Sequence, residues 1–232
     1  MTEHQPIQSA CTDFAAKFLR DHYGESPAEI TVIYQKPFLL FYLKDFLLAP
    51  EVLLMGRGEE KFVLESRNLL MESVTGEFLE GLNAAAGIQG TALFHDWNLK
   101  KKTGFLLVTT GEQGEQSSFP APAGIDEGPI REIIEMNSAL SQKKPEQTRL
   151  FWLSDFVLLV QREGILIDIE KQLIKNGLII ELGLAKRPLE YRLTKFFNLD
   201  SFLPRPVDQI FVDWDFQRDI SFMVLIMEKP QP

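Results

Sequence analysis

Apolar residues in the first part of the chain follow two different periods. Near the start they recur at i, i+3, i+4, i+7 and i+8, the spacing of one helix face: Cys11, Phe14, Ala15, Phe18 and Leu19. We expect this helix to end near Gly24, because Pro27 cannot continue it. Two runs rich in β-branched and aromatic residues follow at 29–35 and 38–44. They predict a β-hairpin.

The remaining hydrophobic pattern predicts the same order of elements twice. In the first half a short helix begins at Ala49 and ends at Gly56–Gly58, followed by a helix over 61–83 and strands over 91–97 and 103–110. The second half repeats this order: helix 129–140, strands 147–153 and 156–163, helices 168–174 and 178–198, and strands 209–214 and 220–227. Pro188 predicts a kink or a fresh start within the last helix.

A repeated phrase supports a duplication of the chain. Phe94-x-Asp96-Trp97 returns as Phe211-x-Asp213-Trp214, and both 211 − 94 and 213 − 96 equal 117. Other positions match at 118 to 120 residues: Pro27 with Pro145, Tyr34 with Trp152, Phe38 with Phe156, Glu51 with Glu170, and Arg67 with Arg187. Matched residue types in one order indicate a tandem repeat.

These patterns predict an α+β fold made of two tandem α-β-β-α-β-β repeats. Each repeat would form a four-stranded, mostly antiparallel sheet with helices on one face. We expect a first repeat domain at 1–112, a linker rich in Gly and Pro at 113–128, and a second repeat domain at 129–232. The uncovered sheet face of each repeat needs a partner, so we expect an internal pseudo-dimer, and a homodimer is a further possibility.

Composition narrows the classes of function. The net charge of −9 argues against binding to nucleic acid or to anionic membrane surfaces. The single cysteine, Cys11, excludes an internal disulfide, and the three histidines lack metal-ligand spacing. The start of the chain does not resemble a signal peptide, and the longest apolar stretch, at 38–43, is too short to span a bilayer. We expect a cytoplasmic protein with no membrane insertion, metal or cofactor.

The chain resembles the MpsC-like family. The resemblance rests on Tyr23-Gly24 with the following Pro27, the hairpin strand that begins at Phe38, Pro50-Glu51, Gly58, Arg67, and the closing strand pair with Asp96. Members of this family are small proteins named for a companion of a sodium-translocating, membrane-potential-generating system of Gram-positive bacteria. The resemblance implies two such domains in tandem, and an accessory role near an ion- or bicarbonate-handling membrane system. It implies no catalytic residues.

Two duplicated pairs of charged residues are candidate ligand-binding residues. Arg67 shares a helix face with apolar residues, and Arg187 repeats it. Each could hold a small anion, or could pair internally with Asp96 or Asp213, or with Glu51 or Glu170. Asp96 and Asp213 could form a pair of carboxylates that binds a cation or acts as acid and base, or could cap turns.

Three functions follow from these observations. The leading hypothesis is a non-enzymatic accessory or scaffold protein that engages a protein partner, such as a component of a membrane transporter. The first alternative is a sensor of a small anion bound at Arg67 or Arg187 between the repeats. The second alternative is a hydrolase that uses Asp96 and Asp213, which would require their carboxylates within about 10 Å.

Overall fold

A computed structural model describes residues 4–111, 119–196 and 199–229 of the 232-residue chain. Contacts divide the chain into two compact units, 1–117 and 118–232. The first unit contains the following elements: α1 (His4–Tyr23), β1 (Glu29–Gln35), β2 (Phe38–Lys44), α2 (Ala49–Gly56), α3 (Glu60–Ala86), β3 (Gly90–Asn98) and β4 (Thr103–Thr110).

The sheet of the first unit is antiparallel throughout, in the order β1-β2-β4-β3. Successive side chains alternate between the two faces of a strand. Leu39, Phe41 and Leu43 therefore share one face of β2, where they join the core that α1 and α3 complete with Leu19 and Phe78. On the opposite face the side chains of alternate residues are also buried: Leu40, Tyr42, Phe105 and Leu107. Both faces of the two central strands are thus apolar, which explains their continuous hydrophobic runs.

The second unit has the same plan. Its elements are α4 (Glu127–Ser141), β5 (Gln147–Ser154), β6 (Val157–Glu163), α5 (Asp168–Lys175), α6 (Ile179–Phe196), a short 3₁₀ helix (Leu199–Phe202), β7 (Val207–Asp215) and β8 (Ile220–Met227). The strands are antiparallel in the order β5-β6-β8-β7. The core includes Ile134 from α4, Trp152 from β5 and Met223 from β8.

The predicted fold class is confirmed: two similar α+β halves, each with one four-stranded antiparallel sheet and helices. In each half the central helical block consists of two helices, as the break at Gly56–Gly58 predicts for the first half, so the full order is α-β-β-α-α-β-β. α6 continues through Pro188, where a kink or a fresh start was predicted. The internal pseudo-dimer stays a prediction.

The predicted linker at 113–128 overlaps residues that have defined structure. Residues 112–118 lie outside the described part of the chain. Phe119 forms an isolated antiparallel bridge with Trp152. α4 begins at Glu127, where the Asp126 carboxylate accepts a hydrogen bond from the backbone N–H of Gly128. The domain bounds of 1–112 and 129–232 stay a prediction.

Strand pairing corrects the alignment of the two halves. A register shift between Trp152 and Ser154 adds one residue to the second hairpin. As a result Phe38, the first residue of β2, is matched by Val157, the first residue of β6, and not by Phe156. From β2 to α3 the offset is then 119, as 157 − 38, 170 − 51 and 179 − 60 show. The counterpart of Arg67 at this offset is Lys186, not Arg187.

Candidate functional site

Arg67 lies at the centre of the first unit and pairs with a carboxylate of the same unit. Its side chain is 1% exposed. Nε donates to Glu51 Oε1 at 2.7 Å, Nη2 donates to Glu51 Oε2 at 2.6 Å, and Nη2 also donates to the Phe46 carbonyl at 3.0 Å. Glu51 Oε2 in turn accepts from the backbone N–H of Leu48 at 2.8 Å, at the start of α2. This bidentate ion pair therefore joins α3 to the first turn of α2.

Three aromatic rings surround the Arg67 guanidinium. Its central carbon lies 4.6 Å from the ring centroid of Trp97, 4.9 Å from that of Phe46 and 5.6 Å from that of Tyr23. Ring faces attract a cation, so they offset part of the cost of burying it. Burial also raises the pKa of Tyr23 well above its ordinary value, although the charge of Arg67 opposes this shift. Arg67 and Glu51 thus form a buried charged centre. The rings of Tyr23, Phe46 and Trp97 surround its cation, and we call them the aromatic wall.

Two donors in this centre have no hydrogen-bond partner among the described residues. They are Arg67 Nη1 and Trp97 Nε1, and both atoms are buried. A buried donor without an acceptor is destabilising, and in proteins a water or a small ligand often supplies the acceptor.

Asp96 lies in β3 next to Trp97 and is 1% exposed. Its Oδ1 accepts from the backbone N–H of Trp97 at 2.9 Å. Arg67 takes Glu51 as its carboxylate partner, one of the internal partners left open by the sequence. Asp96 and Asp213 lie one in each unit, and the hypothesis that they form a pair stays a prediction.

The second unit also has an ion pair between its two central helices, α5 and α6, but the basic residue is a lysine instead of an arginine. Lys186 Nζ donates to Glu170 Oε1 at 2.6 Å, and Glu170 Oε2 accepts from the backbone N–H of Ile167 at 3.1 Å. Burial lowers the pKa of Lys186, although Glu170 opposes this shift. Glu170 thus accepts a backbone N–H at the start of α5, as Glu51 does at the start of α2.

Arg187 has a different role from Arg67. Its Nη2 lies 3.4 Å from Asp213 Oδ1, so this pair joins α6 to β7. The guanidinium carbon of Arg187 and Nζ of Lys186 each lie 5.6 Å from the ring centroid of Trp214. The structure therefore brings two of the predicted site residues, Arg187 and Asp213, into contact. It places Arg67 with Glu51 instead of Asp96.

Sequence reasoning missed a fully buried ion pair, Arg162 with Glu190. Both side chains are 0% exposed. Arg162 Nη1 and Nη2 donate to the two Glu190 oxygens at 3.0 and 2.8 Å, Nη1 also donates to Ser138 Oγ at 2.8 Å, and Nε donates to Ser221 Oγ at 3.0 Å. The signal available was Arg162 itself, which follows an apolar run in β6 at the position where β2 has Leu43.

These arrangements are ion pairs that join elements within one unit. Among the described residues no cluster of three or more His, Cys, Asp or Glu side chains could hold a metal ion. No helix of the described ranges is long and apolar enough to cross a membrane.

The first unit also exposes several large apolar side chains on two neighbouring helices. On α2 these are Val52 and Leu53, the latter 71% exposed, and on α3 they are Phe62 and Leu69, at 55% and 54%. α2 and α3 contact each other. Exposed apolar groups on adjacent elements are typical of contact surfaces for other proteins.

Comparison with known proteins gives one match. Residues 4–111 match the family described as "Na+-translocating membrane potential-generating system (MpsC)". No curated protein matches the chain. No solved structure matches it either.

Proposed function

We propose that this chain, whose residues 4–111 belong to the MpsC family, is a non-enzymatic accessory protein of a membrane-potential-generating system. It would act at the cytoplasmic face of the membrane by docking on a protein component of that system. The family description supports the membrane system, and the exposed apolar side chains of α2 and α3 support the docking.

The observation that carries this proposal is that buried basic side chains pair with carboxylates of their own unit. Arg67, Arg162 and Lys186 are each buried and each donates to a carboxylate of its own unit. A group that is held in a buried ion pair contributes to the shape of the fold and has little capacity left for a substrate. We therefore expect the function to lie on the surface of the units.

Retention on native membranes tests the proposal. We expect the purified chain to co-sediment with inside-out vesicles from the cell that makes it, and to lose this retention once the vesicles are treated with protease. Liposomes made from the extracted lipids are the control and should retain nothing, because the chain carries a net charge of −9. Equal retention by these liposomes, or none by native vesicles, would contradict the proposal.

A second candidate is small-anion binding at Arg67. The observation that favours it is the pair of buried donors without a partner, Arg67 Nη1 and Trp97 Nε1. Glu51 already balances the charge of Arg67, so we expect only weak binding of bicarbonate, phosphate or acetate. Arg187, whose Nη2 lies 3.4 Å from Asp213 Oδ1, would be a separate candidate place in the second half and is not the counterpart of Arg67.

Calorimetric titration with each anion against chloride at equal ionic strength tests this candidate. A saturable heat that disappears in Trp97→Phe, which removes one donor and keeps an aromatic ring at this position, is the expected result. Heats that match the chloride control for all three anions would dispose of it.

A further inference from the structure

The outward side of α3 carries a stripe without charge. Five residues spaced four and three apart form this α3 stripe: Phe62, Ser66, Leu69, Ser73 and Gly76. This spacing places them along one side of a helix, and all five are exposed. The outward side of a surface helix is normally polar and charged. A helix that exposes two large apolar residues along such a stripe has the form of a packing surface for another helix.

Glutamates frame the α3 stripe. At 100° per residue Glu65 and Glu72 lie along one side of it, Glu77 lies along the other, and Glu80 closes its C-terminal end. Residues 57–86 contain six exposed or half-buried glutamates and two exposed basic residues, which gives this helical surface a net charge of about −4. The surface around the stripe is therefore strongly acidic.

We propose that the α3 stripe binds an amphipathic helical segment whose apolar side is flanked by Lys and Arg, supplied by a membrane protein of the potential-generating system. The proposal rests on the function proposed above. Segments next to the cytoplasmic ends of membrane-spanning helices are rich in Lys and Arg. Such a segment matches both the apolar stripe and its acidic frame.

Charge complementarity also selects against other occupants. Two α3 stripes that faced each other in a homodimer would bring the two glutamate frames together, and like charges in contact repel. The anionic surface of a cytoplasmic leaflet would be repelled for the same reason. A basic segment is the occupant that gains from the acidic frame.

The second half offers an internal control, since it lacks the stripe. At the offset of 119 the five stripe positions become Glu181, Ala185, Pro188, Arg192 and Lys195. Three of these five are charged, so the sequence of α6 does not repeat the uncharged stripe of α3. We therefore infer that docking belongs to the first half alone.

Binding of a designed peptide tests the α3 stripe directly. The probe is a fluorescent helical peptide of about 18 residues, long enough to cover five turns, with leucines at the same spacing and Lys and Arg on both flanks. The matched peptide has the same leucines and Glu flanks. We expect the basic peptide to bind the full chain, the acidic peptide to fail, and the affinity of the basic peptide to fall as salt is raised.

Variants of the chain locate the binding surface. Phe62→Ser and Leu69→Ser should each weaken binding of the basic peptide about tenfold, the usual effect of truncating an interface anchor. Leu189→Ser, on the exposed side of α6, is the matched control and should leave the affinity unchanged. All three positions are exposed, so circular dichroism should show an unchanged fold.

Equal affinity of the wild-type chain and Leu69→Ser, or equal binding of the two peptides, would overturn the proposal. Vesicle retention separates this failure from failure of the proposed function. Loss of retention in Leu69→Ser supports the α3 stripe. Full retention of Leu69→Ser on native vesicles would overturn the stripe and leave the accessory function intact, whereas no retention of the wild-type chain would overturn both.

Discussion

The two halves of the chain share one fold but place their buried charges differently. In the first half Arg67 holds Glu51 with two hydrogen bonds, and in the second half Lys186 holds Glu170 with one. In both halves the glutamate also accepts a backbone N–H at the start of the short helix. The comparison teaches that the fold requires a carboxylate at this helix start and a buried base on the next helix, but not a particular base.

The second half adds an ion pair where the first half has apolar residues. Arg162 and Glu190 occupy the positions of Leu43 and Met71, since 162 − 43 and 190 − 71 both equal 119. Leu43 and Met71 are buried in the core of the first unit, as the ion pair is in the second. The same space is therefore filled by either packing or paired charge, and the predictions below compare the two solutions.

The largest effect is expected from Glu190→Met, which copies the first half at one position only. It leaves Arg162 buried without its carboxylate, which should lower the free energy of unfolding by about 3–5 kcal/mol. Adding Arg162→Leu should recover more than half of this loss, because the pair is then replaced by the apolar residues of the first half. Urea denaturation measures both values. A loss below about 1 kcal/mol for Glu190→Met would contradict the buried pair.

A smaller effect is expected from exchanging the bases of the two centres. Arg67→Met leaves Glu51 without its base and should cost about 3 kcal/mol. Arg67→Lys should cost only about 1–2 kcal/mol, because lysine keeps the charge but loses the bidentate geometry. Lys186→Arg is the reciprocal control. Thermal unfolding of the two Arg67 variants ranks their stabilities. An Arg67→Lys variant as unstable as Arg67→Met would refute the equivalence of arginine and lysine at this position.

The aromatic wall of the first half depends on a glycine. A Cβ at Gly104 would lie 2.4 Å from Trp97 Cε3, so the ring packs directly against the strand. The second half has Ser221 opposite Trp214, and its ring instead stacks on Phe216 at 5.6 Å. Gly104→Ser should therefore cost about 1–3 kcal/mol through overpacking. Denaturation followed by tryptophan fluorescence checks this, and an unchanged midpoint would show that Trp97 can move freely.

The smallest effect concerns pH. Burial raises the pKa of the Cys11 thiol to about 11 from an ordinary value of 9.0, while α4, the first helix of the second half, buries Ile130 in its core. The unfolded thiol ionises first, so its contribution to stability is complete below pH 9 and is lost as the pH rises toward 11. At pH 10 the free energy of unfolding of Cys11→Ala should have fallen by about 1 kcal/mol less than that of the wild type, each relative to its value below pH 9. Parallel curves for the wild type and Cys11→Ala would argue against a buried, neutral thiol.

Local patterns predicted most of the fold, and long-range geometry accounts for what they missed. The spacing of Cys11, Phe14 and Phe18 defines a helix face, and the alternation along β2 defines a strand, because each depends only on neighbours in sequence. The shift at Ser154 escaped prediction, since it lies at the last residue of β5, where no further strand residues follow to reveal a break in the alternation. Arg187 looked like the repeat of Arg67 because the same residue type was matched at an offset of 120, whereas the offset of 119 that α2 and α5 share selects Lys186.

The candidate site was predictable in part. Arg67 stands on an apolar helix face, so its burial and its need for a carboxylate followed from the sequence. Its choice of Glu51 depended on how the loop before α2 places that helix, which no local pattern contains. The pair of Arg162 and Glu190 was missed because a charged residue in either context usually faces solvent. Arg162 lies near the end of an apolar run, and Glu190 lies two residues after Pro188.

Site-specific photo-crosslinking gives the most direct test of the central claim, that the first half docks on a membrane protein through α3. A crosslinker is placed at Ser66 on the α3 stripe and, as a matched control, at Ala185 on α6, both exposed and separated by 185 − 66 = 119 residues. With native vesicles the account predicts a product from Ser66 alone, mapped by mass spectrometry to a Lys- and Arg-rich segment beside a membrane span. Equal yields from both positions, or a product from neither, would contradict it.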